Sequence, residues 1–152
     1  GEYTFLHCTI ANYYRWAGRA KESVKLSNKT EGIVGLDKCD FVNSIVYGSV
    51  TKELILEKEI STSFNYSFHN CLLKADETGD FNFSNIIWNQ SPMFQNLNID
   101  GTFSYNFELQ KESPAIDKAD RDYSTALPYD LKGSSRLNDI NPDIGCYEYI
   151  GR

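Results

Sequence analysis

His7-Cys8-Thr9-Ile10-Ala11-Asn12 and Asn43-Ser44-Ile45-Val46-Tyr47-Gly48 look like two versions of one short run. Two further versions follow, Asn70-Cys71-Leu72-Leu73-Lys74-Ala75 and Asn85-Ile86-Ile87-Trp88-Asn89. Alignment on Cys8, Ser44, Cys71 and Ile86 gives separations of 36, 27 and 15 residues. A motif that recurs with a drifting spacing indicates a solenoid, in which strands stack in register while the loops between them vary in length.

In such a solenoid each turn of the chain, or coil, buries its apolar face against the coils above and below, about 4.8 Å away. We therefore expect the four aligned residues to form one inward row. Asparagines flank the runs, where a turn residue that tolerates left-handed backbone is needed. They are Asn12, Asn43, Asn70, Asn85 and Asn89. The alternative is an antiparallel β-sandwich whose strands resemble one another by chance.

Helical periodicity is almost absent elsewhere, and the nearest candidate is the stretch from Tyr14 to Lys25. Instead, short strand-like runs are separated by Asn, Gly, Asp, Ser and Thr. These runs predict further strands at residues 24–26, 33–36, 54–56, 64–68 and 103–109. The sequence as a whole predicts an all-β fold built as a parallel solenoid.

Composition limits the partners of the 152-residue chain. Its formal net charge is −6, which argues against nucleic acid, because phosphate binding needs a concentration of Lys and Arg. No run approaches the roughly 20 apolar residues of a spanning helix, so no membrane insertion is predicted for this stretch. The chain starts almost directly in the strand-like run 3–10 and shows no signal peptide. We therefore expect it to be part of a longer protein.

The four cysteines are Cys8, Cys39, Cys71 and Cys146. No two lie within four residues of each other, so their spacing matches no zinc site. Each lies in or beside an apolar run, which predicts free thiols that pack as small hydrophobic groups. Disulfide bonds in an oxidising compartment are the alternative.

Three pieces of the last third carry a resemblance to a known family. They are Ser113-Pro114-Ala115-Ile116-Asp117, Asp130-Leu131-Lys132-Gly133-Ser134-Ser135-Arg136 and Asp143-Ile144-Gly145-Cys146-Tyr147-Glu148. In this order and at this spacing they resemble the closing segment of the choice-of-anchor Q, or pectin-lyase-like, family of bacterial surface proteins. The run at 43–48 also resembles the repeated coil of that family. Departures, such as Lys118-Ala119 after Ile-Asp and Ser135 before the arginine, affect only loop geometry and packing.

The resemblance implies an architecture and a cellular location. The fold would be a right-handed parallel β-helix, with coils at residues 1–112 and a closing, capping segment of the same domain at 113–152. The protein would be exported and displayed at the bacterial cell envelope, on the outer surface or in the periplasm. Its partners would include upstream β-helix coils of a full-length protein.

The closing segment is predicted to fold over an end of the solenoid, because an open end exposes unpaired strand edges and apolar core. Arg136 is predicted to be partly buried and to tie the segment down, since a guanidinium binds carboxylates and carbonyls through a planar fork. Its predicted partners in this structural cap are Asp117, Asp130, Asp143 and Glu148.

The sequence predicts no catalytic residue, metal site or cofactor. Enzymes of this architecture that cleave polysaccharides would need acidic residues repeated at one coil position, and the strand runs show no such register. His7 and Cys8 are adjacent, so on a strand they point to opposite faces and cannot form a catalytic pair. An exposed, stacked histidine is expected there. The acidic run at 117–122 is predicted to be a solvated loop, with Ca²⁺ binding as the alternative.

Aromatic residues give the candidate ligand-binding positions. Tyr13, Tyr14 and Trp16 form a cluster, and Tyr47 and Trp88 follow their strands at similar points. Rings along a ridge could stack against the faces of a polysaccharide. The alternative is that these rings pack inside the core or under loops.

The sequence therefore predicts a non-catalytic C-terminal portion of an exported β-helix, either structural or glycan-contacting. One alternative is part of a polysaccharide lyase or glycoside hydrolase whose active site lies in upstream coils. Another is an adhesive or structural surface stalk.

Overall fold

The computed structural model describes residues 1–14, 18–29, 35–59, 62–98, 104–138 and 140–151. Within these residues the chain forms twelve β-strands and one helix of four residues. The strands are β1 (Glu2–Leu6), β2 (Thr9–Asn12), β3 (Val24–Ser27), β4 (Lys38–Val42), β5 (Ile45–Gly48), β6 (Leu54–Glu57), β7 (Ser67–His69), β8 (Leu72–Leu73), β9 (Phe83–Ser84), β10 (Ile87–Trp88), β11 (Phe94–Leu97) and β12 (Tyr105–Leu109). Helix α1 is Arg121–Ser124. The predicted all-β class is confirmed.

The strands form three parallel sheets and one antiparallel pair. The first sheet has the order β1-β4-β7-β9, and the second has the order β10-β8-β5-β2. Strands β3 and β6 form the third sheet, and all the pairs in these three sheets are parallel. Strands β11 and β12 pair antiparallel, although the sequence assigned residues 94–109 to the coils. Parallel pairing in the three sheets is the opposite of what an antiparallel sandwich requires.

Each strand of the first sheet leads through two residues into a strand of the second sheet. We call each such strand pair a tier and the two-residue step its corner. The four corners are His7-Cys8, Asn43-Ser44, Asn70-Cys71 and Asn85-Ile86. The first residue of each corner has a left-handed backbone, with φ of 50°, 51°, 48° and 54°. Asn tolerates this conformation better than most residues because its short polar side chain bonds locally.

Hydrogen bonds between the corners keep the tiers in register. The N–H of His7 donates to Val42 O, that of Asn43 to His69 O, and that of Asn70 to Ser84 O, each at 3.0 Å. The residues aligned in the sequence therefore stack as expected. Asn89 also has a left-handed backbone, with φ of 57°. Asn12 differs from the expectation, because it is the last residue of β2.

Predicted strands at 24–26 and 54–56 correspond to β3 and β6. In the run at 64–68, Phe64 forms a single parallel bridge with Leu36, and β7 begins three residues later. Ile33 and Val34 of the run at 33–36 and Phe103 of the run at 103–109 lie outside the described residues. The rest of that last run is β12.

The inner core lies among the three parallel sheets, all of which contribute residues to it. Its most regular feature is a column of phenylalanine rings, one from each strand of the first sheet: Phe5, Phe41, Phe68 and Phe83. Neighbouring ring centroids are 4.3, 4.8 and 4.9 Å apart, and the planes differ by 13°, 11° and 4°. These distances approach the spacing of paired strands, because in-register parallel pairing places identical side chains above one another.

Phe68→Ala should destabilise the protein strongly, because Phe68 is 0% exposed and lies inside this column. Removal of a buried ring typically costs about 3–5 kcal/mol, as lost burial and an unfilled cavity add together. Urea unfolding gives the change in free energy. Phe81→Ala is the matched control, because Phe81 is 92% exposed and its loss should change stability by no more than about 0.5 kcal/mol. Equal effects of the two substitutions would contradict the column.

Candidate functional site

The outer face of the second sheet is covered by the last third of the chain. Ile45 and Leu72 point outward from β5 and β8 and are 1% and 0% exposed. They pack against Phe94 and Leu109 of the antiparallel pair and against Ala115, Ala119 and Ile144 of the closing segment. The small side chains of the two alanines let the segment approach the sheet closely. The closing segment thus lies along the side of the tiers, not over an end as the sequence predicted.

Corner asparagines bind the main chain of this segment. Asn43 is fully buried, accepts the N–H of Asp120 at 2.7 Å and donates to its carbonyl oxygen at 2.9 Å. One tier further on, Asn70 donates to Lys118 O at 2.7 Å. In the last tier Asn85 donates to the side-chain oxygen of Asn70 at 3.1 Å. Two of the corner asparagines, Asn43 and Asn70, therefore also hold the segment.

His7 takes the corresponding position in the first tier and is 3% exposed, not exposed as the sequence predicted. Its Nδ1 lies 3.2 Å from Gly145 O, so Nδ1 carries the proton in the neutral ring. Its Nε2 is 3.1 Å from Asn43 Nδ2 and 2.8 Å from Ser124 Oγ, and accepts hydrogen bonds. Burial, and secondly the charge of Arg136, lower the pKa of His7 to about 3. The ring thus joins the first two corners to α1 as a neutral group.

Arg136 is 1% exposed, more deeply buried than the sequence predicted, and its NH1 donates to Glu148 Oε1 at 2.6 Å. Glu148 also accepts the N–H of Asp143. Burial and the neighbouring Asp143 raise the pKa of Glu148 to about 7, although Arg136 acts in the opposite direction. The arginine and this carboxylate form the buried polar centre of the closing segment.

The other predicted cap residues bind main-chain groups around this centre. Asp143 accepts the N–H groups of Asp117 and Tyr149 at 2.8 and 2.6 Å. Asp130 accepts the N–H groups of Lys132, Ser134 and Glu148 at 2.7–2.9 Å. Asp117 has a left-handed backbone with φ of 56°. In this irregular segment, side-chain carboxylates therefore accept the hydrogen bonds of main-chain N–H groups that a neighbouring strand would accept in a sheet.

The candidate ligand-binding rings do not form one ridge. Tyr47 packs on the outer face of the second sheet, with Lys74 Nζ 5.0 Å above its ring. Trp88 belongs to the inner core, 5.3 Å from the Phe83 ring. Tyr13 packs against Phe94 and Phe107, whereas Tyr14 is 49% exposed. Trp16 lies outside the described residues.

A polar groove of about 590 Å³ lies beside the last two corners and was not identified from the sequence. Asn70 and Asn85 line one side, and residues 117–122 and Asn141 line the other. His69 lies next to the groove residue Asp120, with its Nε2 2.9 Å from Asp120 Oδ2. The signal for this groove in the sequence is the return of Asn at the first residue of three corners, a pattern that also predicts a turn.

Groups suited to metal or thiol chemistry are scarce in the part of the chain that the structure describes. There, no set of three or more His, Cys, Asp or Glu residues is arranged to hold a metal ion. All four cysteines are free. Burial raises the pKa of Cys71 to about 12 and is the main cause that raises the pKa of Cys39 to about 11, which disfavours the reactive thiolates. Among the described residues, no helix has the length and apolar character needed to cross a bilayer.

Comparisons with protein-family models, with curated proteins and with solved structures found no match.

His7→Asn should make the free energy of unfolding less sensitive to acid. The unfolded imidazole titrates near pH 6.5 and the folded one near 3, so the unfolded chain binds an extra proton between these values. The stabilisation from the neutral ring is complete above pH 6.5 and is lost as the pH falls toward 3. Asn suits the position, because it has the same backbone conformation at the other three corners.

Urea unfolding of both proteins between about pH 6.5 and 4.5 measures this effect. The wild-type stability should fall more steeply than that of the variant, by up to about 1.4 kcal/mol per pH unit. Glu148 changes the free energy of unfolding in the opposite direction. Because its pKa is raised, the folded chain gains a proton as the pH falls through about 7, which favours the folded state. It is present in both proteins, so the comparison isolates His7. Parallel pH profiles would contradict a buried neutral imidazole.

Proposed function

We propose that this chain is the C-terminal part of a right-handed parallel β-helix and serves as a non-catalytic scaffold. The repeated left-handed corner at residues 7, 43, 70 and 85 supports the β-helix, because it makes every tier turn at the same point. The in-register parallel pairing of the first and second sheets supports it further. Each tier is then one coil.

The observation that carries the scaffold role is the burial of both faces of the second sheet. Its inner residues Val46 and Leu73 are 0% exposed in the core. Its outer residues Ile45 and Leu72 are equally buried beneath the closing segment. Both faces of the central strands are thus filled with apolar side chains, which leaves no open sheet surface there for a substrate to lie on.

The first tier is best suited to bind further coils of the same kind. Strands β1, β2 and β3 are edge strands, and beside them lies a cavity of about 470 Å³. Phe5, Ile10, Val24 and Leu26 line it, which makes it the open top of the inner core. A parallel coil stacked on these strands would pair their free main-chain groups and cover the rings. An exported location at the bacterial cell envelope rests on the family resemblance described above.

Glycan contact through the polar groove is the second candidate function. Amide and carboxylate side chains of Asn70, Asn85 and residues 117–122 line the groove and could bind sugar hydroxyls. The five aromatic residues favour this function less, because Tyr47 and Trp88 lie on opposite faces of one sheet. A lyase or hydrolase with its active site in upstream coils and an adhesive stalk remain the competing proposals, and Ca²⁺ at 117–122 would accompany a glycan site.

A glycan array with and without Ca²⁺, run beside a cleavage assay on the same polysaccharides, tests these roles. The scaffold predicts no selective binding and no new reducing ends or unsaturated products. Selective binding that Asn85→Gly abolishes and Tyr14→Ala leaves intact would replace the scaffold by the groove function. Cleavage by the chain would contradict a non-catalytic role. Asn85→Gly removes the amide and keeps the left-handed backbone that this corner needs, and Tyr14 is exposed, so both variants should fold.

A further inference from the structure

The third sheet stops two tiers before the others. The first and second sheets each contain four strands, whereas the third contains β3 and β6. After β8 the chain passes through residues 74–82 to β9 without forming a strand beside β6. Strand β6 therefore pairs with β3 on one side, and no described strand pairs with its other side.

The hydrogen bonds to β3 identify which main-chain groups of β6 face this open side. Val24 N–H donates to Glu53 O at 2.9 Å, and Asn28 N–H donates to Glu57 O at 3.4 Å. Because successive residues of a strand direct their main-chain groups to opposite neighbours, residues 53, 55 and 57 face β3. The N–H and C=O groups of Leu54 and Leu56 therefore point away from β3, along the open edge.

A cavity of about 320 Å³ with mainly apolar walls lies along this open edge. Its polar lining residues are Lys52, Asp76, Thr78 and Asp80. Leu54, Ile55 and Leu56 all line it, although their side chains alternate between the two faces of the strand, so the edge itself borders the cavity. Phe83 and Trp88 line it from the last tier. Unpaired main-chain groups of β6 and partly buried apolar side chains thus border one cavity.

We propose that the open edge of β6 and this cavity form an acceptor site for an extended polypeptide strand. The ligand adds to the third sheet beside β6, and its alternate apolar side chains enter the cavity. The open edge lacks main-chain donors and acceptors at the spacing of a paired strand. A polypeptide supplies them at this spacing, whereas a sugar or a lipid does not. Strand addition of this kind is a general mode of peptide recognition, in which the main chain gives affinity and alternate side chains give specificity.

Strand β3 shows what such a ligand should look like. On the occupied side of β6, Val24 stacks on Leu54 and Leu26 stacks on Leu56. Between them, Lys25 Nζ lies 2.9 Å from Glu57 Oε2. The suitable ligand therefore has apolar residues at alternate positions. Glu57 is already paired with Lys25, but Asp76 and Asp80 line the cavity and favour a basic residue in the ligand. The net charge of −6 on the chain also favours a basic ligand.

The probe is a fluorescein-labelled peptide with the sequence of residues 22–29, Glu-Ser-Val-Lys-Leu-Ser-Asn-Lys. Titration with the full chain should give a saturable rise in fluorescence anisotropy. A peptide of the same sequence with N-methyl groups on the Lys and Ser that flank its Leu should bind at least about tenfold more weakly, because it keeps the side chains but lacks the two main-chain donors that face β6. Equal binding of the two peptides, or no saturable binding, would overturn the proposal.

Two variants locate the binding. Thr78 is exposed and lines the cavity, so Thr78→Trp should fill the cavity and abolish binding. Glu77→Trp is the matched control, because Glu77 is the exposed neighbour and does not line the cavity. Binding that survives Thr78→Trp would overturn the assignment. A concentration-dependent dimer in sedimentation that Thr78→Trp dissolves would also overturn it, since a second copy of the chain would then occupy the cavity.

Discussion

The left-handed corner is the constraint on which the rest of the structure depends. Side chains alternate across a strand, so a slip of one residue would turn Val46 and Leu73 out of the core and Ile45 and Leu72 into it. A corner that needs a left-handed residue prevents such a slip, because only positions 7, 43, 70 and 85 have that backbone between the first and second sheets. The register of the phenylalanine column follows from the corners.

The corners also determine where the closing segment lies. Asn43 and Asn70 extend outward from the tiers and bind the main chain of Asp120 and Lys118. His7 does the same to Gly145. A residue chosen for its backbone conformation thereby becomes a binding residue for an irregular segment in which the structure describes no strand. The pair of Arg136 and Glu148 then stabilises that segment from within.

The sequence predicted the stacking of the tiers because the signals for it are local. The carbonyl oxygens of the aligned residues Cys8, Ser44 and Cys71 each accept a hydrogen bond from the next tier. The donors are the N–H groups of Ile45, Leu72 and Ile87, at 2.8–3.0 Å. Strand-forming residues and a turn residue at fixed offsets are visible without any knowledge of distant contacts. The stacking of the aligned residues and the corner asparagines could therefore be identified from the sequence alone. The predicted inward row is found for Cys71 and Ile86, which belong to the inner core.

The placement of the closing segment could not be predicted in the same way, because it depends on contacts between residues up to 138 apart. One signal was present: consecutive apolar pairs such as Ile45-Val46 and Leu72-Leu73 are typical of strands buried on both faces. The number of residues between each corner and the following aromatic residue also shows on which face of the sheet the candidate rings lie. Tyr47 comes three residues after Ser44 and Trp88 two after Ile86, so they must point to opposite faces.

Chemical crosslinking of paired cysteines tests the parallel register most directly. Asp40 and Ser67 face each other across β4 and β7, with their side chains 2.7 Å apart, although 27 residues separate them in the sequence. Asp40→Cys with Ser67→Cys should be bridged by dibromobimane, with the crosslink mapped by mass spectrometry. Lys38→Cys with Ser67→Cys is the control, since residue 38 lies two positions further along the same strand face. Crosslinking of the first pair and not of the second is the predicted result, and equal crosslinking of both pairs, or of neither, would contradict it.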